Sequence, residues 1–382
     1  MISPYPSVMP VGGNGLHWFI PRDEPVQRGF RISTADQDGR RVEVHKSDLA
    51  KWPFCTLSEF AGHAADGRRI LLVAPLSGHF AFILREMILG LVANANVSVT
   101  DWRNARYVPV SAGEFGFDEN IDTIAQSIKI LGPGAHVIAI CQGAVPALAA
   151  TALLAASEPE LAPRSLILLG GPVDPLANPT RVVQLLRQAQ SQWFERYVLH
   201  PVGPQFPGAR RMVYPARHQL SALIGYFYRQ WASGGELFGQ MLADDGIDPM
   251  KVPFFDLFTS LMDLPAKFFL ENVQKVFQDR EIWTGRLRCR DRAVDFGAIR
   301  GTALMTIEGA QDDIAAPGQT RAAHRLCPNI PASMRHALTV DGAGHFSLFH
   351  GRTWREKILP EVDGFIAAQS RPRHASASVG ME

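Results

Sequence analysis

The sequence predicts an α/β protein with a mostly parallel, doubly wound β-sheet, and two observations carry this prediction. Four short apolar runs have the length and the bounding residues of buried parallel strands. They are residues 70–74, 136–140, 165–169 and 303–307, with 97–100 as a shorter fifth candidate. Helical stretches separate these runs, most clearly at 121–131 and 144–157. Alternation of strand and helix favours parallel pairing, with helices covering both faces of the sheet.

The alternation breaks after Gly170-Gly171, where a long stretch rich in aromatic residues begins, including a cluster at 254–258. Residues 217–230 and 267–277 have helical patterns there, which predicts a helical cap inserted into the sheet domain. Most of the aromatic side chains are expected to pack within the cap, and a few to line a cleft. The predicted organisation is an N-terminal arm (1–65), a core in two parts (66–171 and 301–368), the cap (172–300) and a disordered tail (369–382).

Composition argues against several classes of partner and cofactor. The 382 residues carry a net charge of +1 and no basic cluster, which disfavours nucleic acid or an anionic membrane as a partner. The four cysteines are widely spaced, so neither a disulfide framework, a metal site nor another cofactor is predicted. The first 20 residues lack a signal-peptide pattern, and no apolar run is long enough to span a bilayer. We expect a cytoplasmic protein.

Cys141 is the candidate nucleophile. It directly follows the predicted strand 136–140 and precedes an Ala/Leu-rich helix, in the run Ala139-Ile140-Cys141-Gln142-Gly143. A nucleophile elbow needs this strand–turn–helix context, with small residues two positions to either side of the nucleophile. The helix N-terminus favours the thiolate form. The alternative is an inert buried thiol, since free cysteine is among the most buried residue types.

Candidate partners of Cys141 follow in the chain order nucleophile, acid, histidine that α/β-hydrolases use. Asp312 lies in a Gly/Asp-rich turn after the predicted strand 303–307, and His345 follows Gly344 in a glycine-rich loop. His345 is expected to accept the thiol proton and later to activate water, while Asp312 orients the imidazole. Asp313 competes with Asp312 for this role, and Glu308 is a weaker candidate. The constellation predicts an α/β-hydrolase fold with a helical cap.

An oxyanion hole is expected from two backbone N–H groups. One belongs to Gln142, directly after the nucleophile, and the other to Ser77 or Leu76, in the loop after the first predicted strand. His79 in the same loop is interpreted as an ordinary loop histidine. Asp101-Trp102 is expected to cap the next segment or to brace the floor of the site.

Six segments extend this pattern along the chain: LVAPLSGHF (72–80), TDWRNAR (100–106), GGPVD (170–174), TIEGAQDDI (306–314), QTRAAH (319–324) and GAGHF (342–346). Together they resemble the intracellular poly(3-hydroxybutyrate) depolymerase family, from about residue 53 to residue 366. The resemblance implies a cysteine-dependent α/β-hydrolase with its triad on Cys141, Asp312 and His345. Where the family usually has Cys-Gln-Pro, this chain has Gly143, which is expected to relax the turn without removing activity.

The resemblance implies an enzyme at cytoplasmic polyhydroxyalkanoate granules that hydrolyses poly(3-hydroxybutyrate) through an acyl-cysteine and releases 3-hydroxybutyrate monomers or oligomers. Aromatic side chains of the cap would contact the granule. Polyhydroxyalkanoate synthases resemble the chain too, but they would pass the acyl group from 3-hydroxyacyl-CoA to a growing polymer. A small-ester or thioester hydrolase and a non-catalytic granule-binding protein are further alternatives. The segments 75–80 and 306–314 favour hydrolysis.

Overall fold

A central sheet of eight strands organises the computed structural model, which describes residues 29–37, 39–62, 67–232 and 259–370. The strands are β1 (His45–Lys51), β2 (Cys55–Ala61), β3 (Arg69–Val73), β4 (Asn96–Trp102), β5 (His136–Ile140), β6 (Ser165–Leu169), β7 (Ala303–Gly309) and β8 (Arg335–Val340). Their order across the sheet is β1-β2-β4-β3-β5-β6-β7-β8. β2 runs antiparallel to both of its neighbours, and all the other neighbouring pairs are parallel.

The predicted buried strands are confirmed at the centre of the sheet. β5 and β6 have the predicted bounds, and every residue of both is buried. Strands that are covered on both faces need continuous apolar runs, and this property made them recognisable in the sequence. Their carboxyl ends meet at one edge, where the chain enters the loops that carry the candidate site residues.

The expected N-terminal arm is wrong for residues 45–61, because these residues form β1 and β2 of the sheet. β1 is an edge strand with almost all of its side chains exposed, so it has no apolar pattern that would reveal a strand. A hairpin of Thr34–Gln37 and Arg40–Glu43 precedes it. The remainder of the predicted arm, residues 1–28, lies outside the described residues.

Three helices between the central strands confirm the predicted alternation: α1 (Arg85–Leu91), α2 (Phe117–Leu131) and α3 (Ala144–Ser157). α3 is buried from its first residue to Leu154, consistent with its position directly behind the elbow. α2 begins four residues before the predicted start, because Glu119 accepts the Gly116 N–H at 2.8 Å and Glu271 accepts the Phe117 N–H at 2.7 Å. Short helices lie at Ala81–Leu84, Ala105–Tyr107 and Val110–Ala112.

The predicted cap segment contains α4 (Arg181–Gln188), α5 (Ser191–Tyr197), α6 (Ala216–Ala232) and α7 (Ala266–Asn272), and α7 continues as a π-turn over Val273–Gln278. Both predicted helices, 217–230 and 267–277, are therefore present. Three short strands form an antiparallel sheet beside them, at His200–Pro201, Met212–Tyr214 and Leu264–Pro265. A second small hairpin pairs Arg288–Cys289 with Arg292–Ala293. The aromatic cluster 254–258 lies outside the described residues.

The last described element is α8 (Leu359–Ser370), which follows Gly351–Thr353 and a π-turn at Trp354–Ile358. The predicted tail starts two residues too early, because Gln369 and Ser370 belong to this helix and their carbonyl groups accept hydrogen bonds from Arg164. Residues 371–382 lie outside the described part. Other short helices are Phe296–Ala298, Ala323–Leu326, Ala332–Met334 and Phe346–Leu348. Within the described ranges, no helix is both long and apolar enough to cross a membrane.

Candidate active site

Cys141 lies at a sharp turn between β5 and α3. Its φ angle is +52°, in the left-handed region that non-glycine residues seldom adopt, and it opens a 3₁₀ turn over Cys141–Gly143. A strained residue between a strand and a helix is typical of a nucleophile elbow. The side chain is half-buried, so it remains accessible from solvent.

Gly143 is closely packed at this elbow. Its φ of −63° and ψ of −18° are ordinary right-handed helical values, so the backbone conformation does not require glycine here, and the expected relaxation of the turn stays a prediction. A Cβ atom at this position would lie 3.0 Å from the carbonyl oxygen of Val73 in β3. Gly171 packs against the first residue of α3, where a Cβ would lie 2.2 Å from Ala144 Cβ.

His345 and Asp312 form a buried pair beside the elbow. The distance from His345 Nδ1 to Asp312 Oδ2 is 2.7 Å, and both residues are at most 5% exposed. Burial by itself would lower the pKa of His345, but the Asp312 carboxylate and the Cys141 sulfur, through charge and hydrogen bonds, raise it well above its ordinary value. The arrangement can hold an imidazolium between a carboxylate and a sulfur.

The structure separates the three candidate carboxylates. Asp312 Oδ1 accepts the N–H groups of Ile314 and Ala315, both at 2.8 Å, which leaves Oδ2 directed at His345. Asp313 instead accepts hydrogen bonds from two residues of α6, Tyr226 at 2.6 Å and Gln230 at 2.7 Å. Glu308 is buried and accepts backbone N–H groups of the following turn, from Gly318, Thr320 and Arg321.

Gly170 packs closely against the His345–Asp312 pair. Its φ is +55°, and an added Cβ would lie 2.9 Å from Leu348 Cδ1, 3.3 Å from His345 Cε1 and 3.4 Å from Asp312 Oδ2. A side chain here would therefore be disfavoured both by the backbone conformation and by the space available.

The two candidate loop donors for an oxyanion hole differ in their contacts. The Leu76 N–H donates to Gln142 Oε1 at 2.9 Å, so it is already engaged. The N–H of Ser77, the next residue, has no hydrogen-bond partner in the described ranges, and Ser77 is exposed. Gln142 N–H lies in the first turn of the helical segment, where backbone N–H groups lack intrahelical partners. The geometry favours Ser77 over Leu76.

Trp102 is buried against the segment that leads from β3 into the Ser77 loop. Its indole N–H donates to the Ala74 carbonyl at 2.8 Å, directly before the loop that carries Ser77. Thr100 adds a second contact, because its hydroxyl oxygen accepts the Ala74 N–H at 2.9 Å. His79 in this loop pairs with Leu261, and its ring centroid lies 6.3 Å from that of Phe346.

The other three cysteines lie in different environments from Cys141. Cys55, Cys289 and Cys327 are fully buried. Burial raises the pKa of the Cys55 thiol well above its usual value, and raises those of Cys289 and Cys327 to about 12. Cys141 is therefore the one accessible cysteine of the four. The described residues contain no group of three or more His, Cys, Asp or Glu side chains that could hold a metal ion.

Three contributors were not predicted from the sequence: the Gln142 side chain, Asn272 of α7, and Gly170. Gln142 was considered only for its backbone N–H, and its side chain reaches both Leu76 and Asn272. The sequence feature that could have indicated Gly170 is the Gly170-Gly171 pair directly after the predicted buried strand 165–169. Asn272 lies 130 residues from Gln142 in a helix of the cap, and no local pattern connects the two.

The strand order, the single antiparallel strand β2 and the strained elbow after β5 define an α/β-hydrolase. Within that class, the chain belongs to the family described as PHB de-polymerase C-terminus, whose model matches residues 170–370, more than half of the chain. The matched range includes Asp312 and His345, whereas Cys141 precedes it. Family membership supports ester hydrolysis.

Solved hydrolase structures are similar to this chain at low identity. A thermophilic esterase from Thermogutta terrifontis has 14% identity and a TM-score of 0.42, over 89% of this chain and 98% of the esterase. A monoacylglycerol lipase from Paleococcus ferrophilus has 13% identity and a TM-score of 0.45, over 86% of this chain and 99% of the lipase. No curated protein matches the sequence. The family match therefore bears on function, whereas these likenesses do not.

Proposed function

We propose that this protein hydrolyses the ester bonds of poly(3-hydroxybutyrate) and related short-chain polyhydroxyalkanoates, releasing 3-hydroxybutyrate or its oligomers. The observation that carries the proposal is the buried His345–Asp312 pair, with His345 Nδ1 and Asp312 Oδ2 2.7 Å apart, beside Cys141 at a strand–helix elbow. Membership of the depolymerase family supports the choice of a polyester substrate. We place the enzyme at cytoplasmic polyester granules on the same basis.

In the proposed reaction, Cys141 and His345 act as a thiolate–imidazolium pair. The sulfur attacks the ester carbonyl carbon, and His345 gives its proton to the departing alkoxide oxygen, which leaves an acyl-Cys141 thioester and a free hydroxyl end. His345 next takes a proton from water as the water attacks the thioester carbonyl. Expulsion of the sulfur then frees the hydroxyacid and restores the pair. Asp312 stabilises the imidazolium and holds its orientation.

The negative charge that develops on the carbonyl oxygen needs hydrogen-bond donors fixed in advance. We assign this role to the N–H groups of Gln142, directly after the nucleophile, and of Ser77, in the loop after β3. Leu76 N–H is a poorer candidate because it donates to the Gln142 side chain at 2.9 Å.

The cap offers apolar side chains for contact with a solid polyester. Four large hydrophobic residues of the described cap segment are at least 44% exposed: Leu185, Tyr197, Met212 and Tyr228. Contact through apolar surface needs no net charge, which agrees with the balanced composition. We propose that this set, the exposed cap residues, lies against the granule.

Incubation of the purified protein with native poly(3-hydroxybutyrate) granules, and separately with 3-hydroxybutyryl-CoA, tests the proposal. Release of soluble hydroxyacids from granules is expected, and Cys141→Ala should abolish it. Cys327→Ala is the matched control, because it removes a buried thiol outside the proposed site and should leave turnover intact. Polymer growth from the thioester would instead identify a synthase, and granule binding without turnover would identify a binding protein. Rapid hydrolysis of soluble esters, together with no release of hydroxyacids from granules, would indicate a small-ester hydrolase.

A further inference from the structure

The side chain of Gln142 ties the elbow to the loop that carries Ser77. Gln142 is 7% exposed, and its Oε1 accepts the Leu76 N–H at 2.9 Å, across 66 residues of sequence. Leu76 is itself buried, and a buried N–H strongly requires an acceptor. The contact therefore fixes the start of this loop relative to the nucleophile, and it also fixes which end of the Gln142 amide faces the loop.

The other end of the same amide is held from the cap. Gln142 Nε2 donates to Asn272 Oδ1 at 3.3 Å. Asn272 is the last residue of α7, at the point where the helix changes to the π-turn Val273–Gln278, and such turns are frequent at functional sites. Phe268 fixes α7 in place, because it is 1% exposed and its ring stacks on that of Phe117 with a centroid distance of 6.4 Å.

The far side of the loop is anchored separately. The Gly78 carbonyl accepts the Met262 N–H at 2.7 Å, and the Phe80 N–H donates to the Ser260 carbonyl at 3.2 Å. Ser77 thus lies between two held positions, Leu76 and Gly78. Its N–H direction depends on the Gln142 amide on one side and on residues 260–262 on the other.

We propose that Asn272 is a positioning residue for the oxyanion hole and acts through the side chain of Gln142. Asn272 contacts Gln142 and is not one of the groups assigned to the proposed reaction. It supplies the acceptor that keeps the Gln142 amide oriented towards Leu76, and the Leu76 contact in turn fixes the direction of the Ser77 N–H. This inference rests on the proposed ester hydrolysis only for its kinetic consequence, since the ordering of the loop can be measured without turnover.

The test compares three variants of the full-length protein: Asn272→Ala, Asn272→Asp and Gln274→Ala. Asn272→Asp keeps an acceptor for the Gln142 amide. Gln274→Ala is the matched control, because it removes an exposed amide two residues away that contacts Asp279 at 3.2 Å and not Gln142. Three quantities are measured: amide hydrogen exchange of the peptide 75–80, kcat and KM on a soluble 3-hydroxybutyrate trimer, and the alkylation rate of Cys141 by iodoacetamide.

Asn272→Ala is expected to speed exchange in 75–80, to lower kcat about tenfold with KM little changed, and to leave the alkylation rate as in wild type. Asn272→Asp and Gln274→Ala should exchange like wild type. Unchanged exchange in Asn272→Ala would refute the inference, and so would equally fast exchange in Gln274→Ala or Asn272→Asp. If Asn272→Ala lowered both the alkylation rate of Cys141 and the thermal stability, the role of Asn272 would be purely structural. A wild-type protein without ester hydrolysis would refute the proposed function, while the exchange rates still decide the role of Asn272.

Discussion

At the scale of single residues, two adjacent carboxylates have different surroundings, which leads to opposite expectations for their removal. Asp312→Asn should lower kcat/KM on a soluble 3-hydroxybutyrate trimer by about 10³- to 10⁴-fold, because the imidazolium loses its carboxylate. Asp313→Asn should change it by less than about threefold, since Asp313 contacts Tyr226 and Gln230 rather than His345. Equal losses in the two variants would contradict the assignment of Asp312 as the acid.

The sequence could predict the candidate triad residues but not choose between these neighbours. Chain order and strand context singled out Cys141, His345 and the Asp312-Asp313 pair, because each follows a strand-like run. The choice depends on the turn after β7, where two backbone N–H groups bind one oxygen of Asp312 and leave the other for His345. Such a turn becomes visible only when backbone geometry is known.

Gly170→Ala should impair the site through crowding. The added methyl group would press on Leu348, His345 and Asp312, in a backbone conformation that L-residues seldom adopt. We expect a loss of about 10²-fold in kcat on the soluble trimer, since small displacements of catalytic groups are costly.

The control for Gly170→Ala is Gly342→Ala. Gly342 also has a positive φ, +75°, and lies in the loop before His345, but nothing lies within 4 Å of its added Cβ. Gly342→Ala should lower the free energy of unfolding by about 1 kcal/mol, because of the backbone conformation, and should leave kcat nearly unchanged. Similar kcat losses in the two variants would show that backbone strain, and not crowding, is responsible.

At the scale of elements, the accuracy of each strand prediction depends on how completely the side chains of that strand are buried. β5 and β6 were predicted residue by residue because all of their side chains are buried. β1 was missed because an edge strand with exposed side chains resembles a polar loop in sequence. The cap helices α6 and α7 were recognised by their period, whereas their contacts with the site loops, through Tyr226 and Asn272, involve partners remote in sequence.

Glu86 joins α1 to the C-terminal segment and makes stability depend on pH. It is 3% exposed. Burial opposes its charge, but hydrogen bonds from His350, Gly351 and Arg355 lower the pKa of Glu86 to about 2, from an ordinary value of 4.5. Because the pKa of Glu86 is lower in the folded chain than in the unfolded chain, its ionised carboxylate stabilises the fold at pH values above 4.5. This stabilisation is lost as the pH falls from 4.5 towards 2.

Glu86→Gln should therefore destabilise the protein by about 3 kcal/mol at pH 7, with the deficit narrowing below pH 4.5. Urea unfolding of wild type and variant at pH 7, 5, 4 and 3 measures the change. A deficit that stays constant over this range would mean that packing, and not the ionised carboxylate, accounts for the loss.

At the scale of the whole molecule, the proposed roles of the site and of the exposed cap residues predict that catalysis and granule binding can be impaired separately. The double variant Tyr197→Ser/Tyr228→Ser should weaken binding to native granules about tenfold, because it removes two large exposed apolar groups. Its kcat/KM on the soluble trimer should equal that of wild type. Granule co-sedimentation measures the first quantity, and product release measures the second.

Ile130→Ser is the matched control for attachment. Ile130 is 44% exposed on α2, in the sheet domain rather than the cap, so its loss should leave granule binding unchanged. Equal weakening by Ile130→Ser would show that apolar area anywhere on the protein, and not the cap, determines attachment.

The burial of three of the four thiols also determines how this protein responds to oxidants. Peroxide attacks thiolates, so Cys141 is the cysteine expected to become a sulfenic acid. Rescue as a disulfide requires a second reactive thiol, but the raised pKa values of Cys55, Cys289 and Cys327 keep those sulfurs protonated and buried. Without a resolving partner within the chain, Cys141 should proceed to the sulfinic acid. The proposed ester hydrolysis would then be lost irreversibly, so we expect it to require reducing conditions.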